Sequence, residues 1–431
     1  MRQFVELVKL VKTAQSISSM VWSAAWTGRS TQQPARRPAL PVLNESGPFR
    51  STMLVAMNSE IISVGAPRRF DAAIRVLDNA IATRAFPGCA FGVLAGGEVL
   101  LMGARGRFTY EEAAPVVRPE TVWDVASLTK VAATTAAAML LNQRGLLRLE
   151  TSLGELLPEF VLKRAADDPA RRVTLGHLLA HNSGLPGYVE FFRTAATGEA
   201  LLESCLGLPL EAEPGARAEY SDPGFILLGK ALEALTGEAL PAWVGREIFQ
   251  PLGMTATGFM ESHPSDKNKD VARAGHPLIP PTEEDTHYRH RVIQGEVQDE
   301  NAWLLGGAAG HAGLFSNVPD LLRLAREILL AHSGRGQLFH AATIERFAQR
   351  QGPAGSSRAL GWDTPSQPSS SGRYFSQASI GHLGFSGCSL WMDLEAGVAM
   401  ALLTNRTWPD RASQLIRQVR PAFHDAVRLA L

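Results

Sequence analysis

Ser127 and Lys130 are the residues whose types and spacing suggest chemistry most directly. They stand at the start of an apolar stretch that we predict to be one helix over residues 123–145. Residues three apart share a helix face, so the Lys130 amine can reach the Ser127 hydroxyl. Burial among apolar neighbours lowers the pKa of a lysine, and a neutral amine can take the proton of a serine. The pair predicts a serine nucleophile with a lysine base.

The S-x-x-K spacing carries little weight by itself. With 29 serines and seven lysines among 431 residues, chance gives roughly one such spacing for every two chains of this composition. A helix-capping serine followed by a solvated lysine is the simplest alternative. The function of the pair therefore depends on residues elsewhere in the chain.

Tyr220 and Asp222 form a second candidate motif, on a loop directly before a helix that we predict to begin at Pro223. A phenol beside a lysine loses its proton more easily, so Tyr220 can shuttle protons between the nucleophile and the leaving group. The alternative is a packing tyrosine followed by an aspartate that caps the helix.

The third candidate motif is His382-Leu383-Gly384-Phe385, at the end of a predicted strand. A glycine at that place lets a substrate backbone lie close to the strand. The backbone N–H groups of Phe385 and Ser127 could then stabilise an oxyanion together. The alternative is a plain turn with a hydrogen-bonded histidine.

The order of these three motifs resembles that of the serine β-lactamase and penicillin-binding protein superfamily. The similarity is greatest to its class C-type branch, which includes esterases and D-amino-acid peptidases, and it covers about residues 68–430. Further segments also look like the family, namely residues 177–185, 220–225, 251–254, 299–302, 310–316 and 384–387.

The resemblance implies a role for each motif residue. Ser127 would be the acylated nucleophile and Lys130 its base partner, with Tyr220 as proton shuttle. Asp222 would contact Lys130 and the substrate, and His382 would approach the Tyr220 hydroxyl. The N–H groups of Ser127 and Phe385 would bind the oxyanion.

Two departures from the family pattern bear on the substrate. Asp222 stands where β-lactamases of this branch usually have asparagine, and His382-Leu383-Gly384 replaces the usual K-T-G. A permanent cation and a hydroxyl that would bind a substrate carboxylate are thereby lost. We therefore expect hydrolysis of a small ester or amide, as by an esterase or D-amino-acid peptidase. A β-lactamase or DD-carboxypeptidase acting on peptidoglycan-type substrates is the alternative, and a non-catalytic ligand-binding relative is a further one.

The elements that must position these motifs follow from hydrophobic periodicity. A helix over residues 70–84 and a hairpin over residues 89–103 precede the first motif, and residues 150–330 read as mainly helical. Three strand patterns, at Ser379–Leu383, Ser389–Asp393 and residues 397–404, precede a closing helix over residues 411–429 that should be kinked or interrupted at Pro421. The fold class predicted is α+β: an antiparallel sheet built from both ends of the chain and flanked by helices, with an inserted all-helical region.

Composition limits the other functions. Lys plus Arg equals Asp plus Glu at 42 each, so no basic face for nucleic acid is expected. The three cysteines lack metal or disulfide spacing and should be small buried residues.

His177 and His181 could share a metal, but their leucine neighbours favour packing. No cofactor is expected, and the partner should be a small-molecule substrate.

The first 65 residues differ from the rest. Residues 1–70 contain nine Lys or Arg and three acidic residues, and residues 31–48 are rich in Pro, Gln and Arg. We predict a poorly structured basic arm over residues 1–65 and a hydrolase domain over residues 66–431, and we expect a chain beginning at Met57 to fold and stay active. No signal peptide or membrane span is evident, which favours a cytoplasmic location.

Overall fold

The computed structural model describes residues 68–260 and 279–431, and the predicted arm over residues 1–65 lies outside them. In the described ranges ten strands form three antiparallel sheets. The strands are β1 (Gly88–Ala95), β2 (Glu98–Gly106), β3 (Trp123–Asp124), β4 (Gly258–Phe259), β5 (Glu283–Asp285), β6 (Arg291–Ile293), β7 (Leu314–Ser316), β8 (Ser379–Leu383), β9 (Ser389–Asp393) and β10 (Val398–Thr404).

The main sheet has the strand order β2-β1-β10-β9-β8. Strand β1 pairs with β10 from Cys89 opposite Thr404 to Ala95 opposite Val398, so the two ends of the domain share one sheet, as predicted. Strand β10 is buried along its whole length because helices cover both faces of the sheet.

The described ranges contain twelve α-helices. They are α1 (Asp71–Ala82), α2 (Ala136–Gln143), α3 (Leu153–Leu156), α4 (Glu159–Leu162), α5 (Leu175–Leu179), α6 (Gly198–Leu206), α7 (Asp222–Thr236), α8 (Leu240–Val244), α9 (Glu300–Leu304), α10 (Val318–His332), α11 (Ala341–Ala348) and α12 (Ile416–Ala430). Shorter helical turns also occur: 3-10 helices at Arg68–Phe70, Pro169–Arg172 and Phe191–Arg193, and π-helices at Lys130–Thr135 and Gly245–Phe249.

The helices form two groups around the main sheet. Helix α10 packs in the core on one face of the sheet, which includes Leu403 of β10. Helices α1 and α12 pack in the core on the other face, which includes the preceding residue, Leu402. This alternation is the two-residue period of a strand. The fold is therefore α+β, as predicted. Among the described residues, no helix is both long and apolar enough to cross a bilayer.

The insertion predicted to be all-helical also contains strands β4 to β7, which belong to two small sheets. Strands β3, β7 and β4 form one of them, and β5 with β6 forms the other. Residues 279–301 contain β5, β6 and the start of α9. The three cysteines are free and buried, as expected.

The predicted first residues of two helices were wrong. Trp123–Asp124 is a strand paired with β7, and the helix begins only at residue 128, because the Asp124 carboxylate holds a turn at the Ala126 amide. The closing helix begins at Ile416 rather than 411, since Arg411 is engaged with buried carboxylates before it. It continues through Pro421 as one helix.

Candidate active site

A strained turn presents Ser127. Ala126 has a positive φ of 47°, which is uncommon for a residue with a side chain. Its N–H donates to Asp124 Oδ1 at 2.8 Å, and its carbonyl accepts from Thr129 Oγ1 at 2.6 Å. These bonds fix the backbone on both sides of the serine at the start of the helix. They also explain why the polar residues Asp124 and Thr129 are buried in an otherwise apolar segment.

Lys130 is fully buried and makes three polar contacts. Its Nζ atom lies 3.0 Å from Ser127 Oγ, 3.0 Å from the His311 carbonyl oxygen and 2.6 Å from Asp222 Oδ1. The predicted proximity of Lys130 to Ser127 and Asp222 is therefore present.

The charge state of Lys130 differs from the one expected. Burial is the largest influence and lowers the pKa of Lys130, but the adjacent Asp222 carboxylate and Tyr220 together raise it above the ordinary value. The lysine is consequently a cation in the resting protein. The expectation of a neutral amine was wrong because it counted burial without the carboxylate.

Tyr220 lies directly over the serine–lysine pair. The Lys130 Nζ atom lies 4.9 Å from the centre of the Tyr220 ring, and Tyr220 and Ser127 line the same cavity. Burial raises the pKa of Tyr220 and outweighs the opposing effect of the Lys130 cation. The phenol therefore keeps its proton at rest, contrary to the expectation of easier ionisation.

His382 lies at the end of edge strand β8, beside Tyr220. The two ring centres are 5.8 Å apart, and Nδ1 of His382 lies 2.8 Å from the Leu383 carbonyl oxygen. A carbonyl only accepts, so Nδ1 carries the proton and Nε2 a lone pair, which has no hydrogen-bond partner among the described residues. Burial, then the Lys130 and Arg358 cations, hold the pKa of His382 well below its usual value. The imidazole is neutral, and the expected approach to the Tyr220 hydroxyl is limited to ring proximity.

The two expected oxyanion donors, the N–H groups of Ser127 and Phe385, lie on adjoining turns. A Cβ atom on Gly384 would lie 2.4 Å from the Val125 carbonyl oxygen, so the two backbones can meet only because residue 384 is glycine. Ser386 Oγ also donates to the Asp124 carbonyl at 2.8 Å and joins the turns. In the described part of the chain, the N–H groups of Ser127 and Phe385 donate to no protein acceptor and remain open for a ligand.

All three motifs line one cavity of about 790 Å³, a size suited to small-molecule ligands. Its wall includes Ser127, Tyr220, Asp222, His382, Leu383, Gly384 and Phe385. The residues of the three motifs thus face the same cavity, except for Lys130, which is buried behind its wall.

Arg358 also lines this cavity, and sequence analysis missed it. Its guanidinium carbon lies 5.2 Å from the centre of the Tyr220 ring. Its one carboxylate partner among the described residues, Asp363, is 3.9 Å away. The residue comes from a loop rich in Ser, Gly and Pro, where no periodicity indicates which side chain points inward. A cation therefore stands near the third motif although residues 382–384 supply none.

Other polar residues support the lysine. His311, whose carbonyl accepts from Lys130, has its Nε2 atom 3.0 Å from Asp299 Oδ1. Burial opposes ionisation of Asp299, but the His311 contact and the Ala302 amide lower its pKa to about 2. In the described ranges, no group of His, Cys, Asp and Glu side chains is arranged to hold a metal ion. His177 instead accepts from the Thr174 amide at the start of α5.

Comparison with known proteins identifies the family of the chain. A model of the beta-lactamase family matches residues 73–422. The chain is 29% identical to an N-acetylmuramyl-L-alanine amidase of Bacillus subtilis (strain 168), over 74% of this chain and 77% of that protein. It is 30% identical to a "Putative D-alanyl-D-alanine carboxypeptidase" of Escherichia coli (strain K12), over 66% of this chain and 69% of that protein.

Solved structures show the same fold at lower identity. A penicillin-binding protein homologue from Caulobacter crescentus aligns with a TM-score of 0.65 at 17% identity, over 85% of this chain and 98% of its own. EstCE1, described as a hydrolase with promiscuous acyltransferase activity, aligns with a TM-score of 0.63 at 22% identity, over 82% of this chain and 99% of its own. The chain therefore belongs to the beta-lactamase family and is a serine hydrolase of the β-lactamase and penicillin-binding protein superfamily.

Proposed function

We propose that this protein hydrolyses a small ester or amide through an acyl-enzyme formed on Ser127. The observation that carries the proposal is the 3.0 Å contact between Ser127 Oγ and Lys130 Nζ inside the cavity. A serine oxygen becomes a useful nucleophile only when a base takes its proton, and Lys130 is the nearest basic group to it.

The resting charges set the first step. Lys130 holds a proton because of Asp222, and Tyr220 holds one because of burial. One proton must therefore leave the Lys130–Tyr220 pair before Ser127 can give up its own. The neutral lysine then takes the Ser127 proton as Oγ bonds to the substrate carbonyl carbon.

The second step expels the leaving group. The N–H groups of Ser127 and Phe385 stabilise the oxyanion of the tetrahedral intermediate. The Tyr220 hydroxyl donates a proton to the leaving oxygen or nitrogen and receives one from Lys130. The carbonyl reforms as the leaving group departs, and water then cleaves the acyl-Ser127 ester by the same proton path in reverse.

Three single variants test this chemistry with p-nitrophenyl butyrate and ethyl butyrate. Ser127→Ala should abolish hydrolysis of the p-nitrophenyl ester, and Lys130→Ala should lower its kcat by about 100-fold or more. Tyr220→Phe should lower kcat/KM by about 100-fold or more for ethyl butyrate, whose ethoxide needs a proton to leave. Circular dichroism of each variant checks that it is folded. Turnover by Ser127→Ala close to that of the wild type would refute the proposal.

A second candidate is hydrolysis of an amide that carries a free carboxylate, such as a D-amino-acid peptide. Arg358 favours it because this guanidinium lines the cavity beside Tyr220 and has only a distant ion-pair partner. The relatives whose names denote an amidase and a D-alanyl-D-alanine carboxypeptidase are consistent with it.

The two candidates differ in their response to loss of the Arg358 charge. For a carboxylate substrate such as a D-Ala-D-Ala peptide, Arg358→Gln should lower kcat/KM by about 10-fold or more, the scale of one charged hydrogen bond. For p-nitrophenyl butyrate the same variant should change kcat/KM little. Arg373→Gln is the matched control, since Arg373 is exposed and pairs with Asp425 outside the cavity. Equal effects on both substrates would leave the neutral ester or amide as the substrate class.

A further inference from the structure

His181 contacts the backbone on both sides of Tyr220. Its ring nitrogen Nδ1 accepts from the Ser221 N–H at 3.0 Å, and its carbonyl accepts from the Glu219 N–H at 2.7 Å. The residues before and after the tyrosine are thus bound to one histidine.

The His181 ring also packs against Tyr220 itself. The two ring centres are 4.7 Å apart, and on the helix that follows, Phe225 lies 4.8 Å from the same imidazole. His181 is buried and has a positive φ of 53°, a conformation that most side chains avoid. A strained backbone at a buried residue persists only when its surroundings hold it in place.

The hydrogen bond from Ser221 requires one form of the imidazole. Nδ1 must present a lone pair, so the proton of the neutral ring is on Nε2. Protonation at Nδ1 would set two donors against each other. Burial is the main cause that holds the pKa of His181 well below its usual value, followed by the Arg358 and Lys130 cations.

We propose that His181 is a positioning residue that holds the Tyr220 hydroxyl in line with Ser127 and Lys130 during proton transfer to the leaving group. The inference rests on the proposed function of this site. It assigns a role to a residue that the sequence indicated only as packing or as one half of a histidine pair.

Leaving-group dependence tests the inference. The p-nitrophenolate of p-nitrophenyl butyrate departs without a proton, whereas the ethoxide of ethyl butyrate needs one from Tyr220. His181→Phe keeps a ring but cannot accept from Ser221. His181→Asn keeps an acceptor and tolerates the positive φ but removes the ring. Each variant should lower kcat/KM, which reports the acylation step, at least about 10-fold more for the ethyl ester than for the p-nitrophenyl ester.

The control is His177→Asn, one turn earlier, where the histidine accepts from the Thr174 amide and lies outside the cavity. It should lower both kcat/KM values equally, if at all. Rates are divided by the amount of protein that reacts with a fluorophosphonate, so misfolded molecules do not count. An unchanged ratio of the two rates in both His181 variants would overturn the inference. Absence of fluorophosphonate labelling at Ser127 in the wild type would instead overturn the proposed function.

Discussion

The Asp222 carboxylate lies 2.6 Å from the Nζ atom of Lys130, whose side chain has no exposed surface. A lysine buried without this partner would tend to lose its proton, and the carboxylate reverses that tendency. The aspartate at this position thus favours the protonated form of Lys130.

Replacing that carboxylate should shift the pH dependence of the enzyme. Asp222 raises the pKa of Lys130, so Asp222→Asn should lower it, and the neutral lysine should then appear at lower pH. The rising limb of kcat/KM against pH for p-nitrophenyl butyrate should therefore move toward lower pH. Glu190→Gln serves as the control, because Glu190 lines the same cavity but pairs with Arg193. A rising limb that stays in place in Asp222→Asn would show that Lys130 is not the group that must deprotonate.

The ionisation of Asp124 should make the free energy of unfolding depend on pH. Burial raises its pKa to about 6, although the Ala126 and Gln298 amides oppose this. A carboxyl whose pKa is higher in the folded state stabilises the fold when protonated, so its contribution falls as pH rises from about 4 to 6. The wild type should lose on the order of 3 kcal/mol relative to Asp124→Asn over this range. The free energies of unfolding by urea at pH 4, 5, 6 and 7 measure the difference, and a constant difference would contradict the assignment.

Gly384 should tolerate no side chain. A Cβ atom there would lie 2.4 Å from the Val125 carbonyl oxygen, so Gly384→Ala must separate the turn with Phe385 from the turn with Ser127. We expect kcat to fall about 100-fold or more through loss of oxyanion stabilisation. Gly245→Ala is the matched control, since a Cβ atom there meets nothing within 4 Å. A Gly384→Ala enzyme with normal kcat would place the oxyanion donors elsewhere.

The side chain of Leu383 supplies no hydrogen-bond donor at the third motif, and the imidazole of His382 is neutral. The wild type should therefore prefer p-nitrophenyl butyrate to nitrocefin in kcat/KM. Leu383→Thr adds a hydroxyl and should narrow that gap by up to about 1–2 kcal/mol. A wild-type preference for nitrocefin would mean that Arg358 fully replaces the missing cation and that carboxylate-bearing substrates are the natural class.

Much of the fold could be predicted from the sequence because its signals are local. Strands β8 and β9 have the predicted bounds, and α7 ends before Gly237, whose φ of 71° suits a glycine. The start of the helix directly after Ser127 could not be predicted in this way. A bond from the Ala126 amide to the Asp124 side chain overrides the apolar periodicity there.

The candidate site divides similarly. The serine, lysine and tyrosine follow from motif spacing, and the structure brings them together. Arg358 and His181 do not follow from it, because their positions depend on how a loop and a helix end fold over Tyr220. The charge of Lys130 could not be predicted either, since it depends on a carboxylate 92 positions away in the chain.

An acyl group on Ser127 can be observed by mass spectrometry, and this observation tests the proposed acyl-enzyme mechanism. The protein is mixed with a slowly hydrolysed p-nitrophenyl ester, quenched in acid during turnover and digested, and the peptides are measured by mass spectrometry. The wild type should carry one acyl group on the peptide that contains Ser127, and Ser127→Ala should carry none under the same conditions. An active wild type with acylation on another residue, or with no acylation during a measured burst of p-nitrophenol, would contradict an acyl-enzyme mechanism on Ser127.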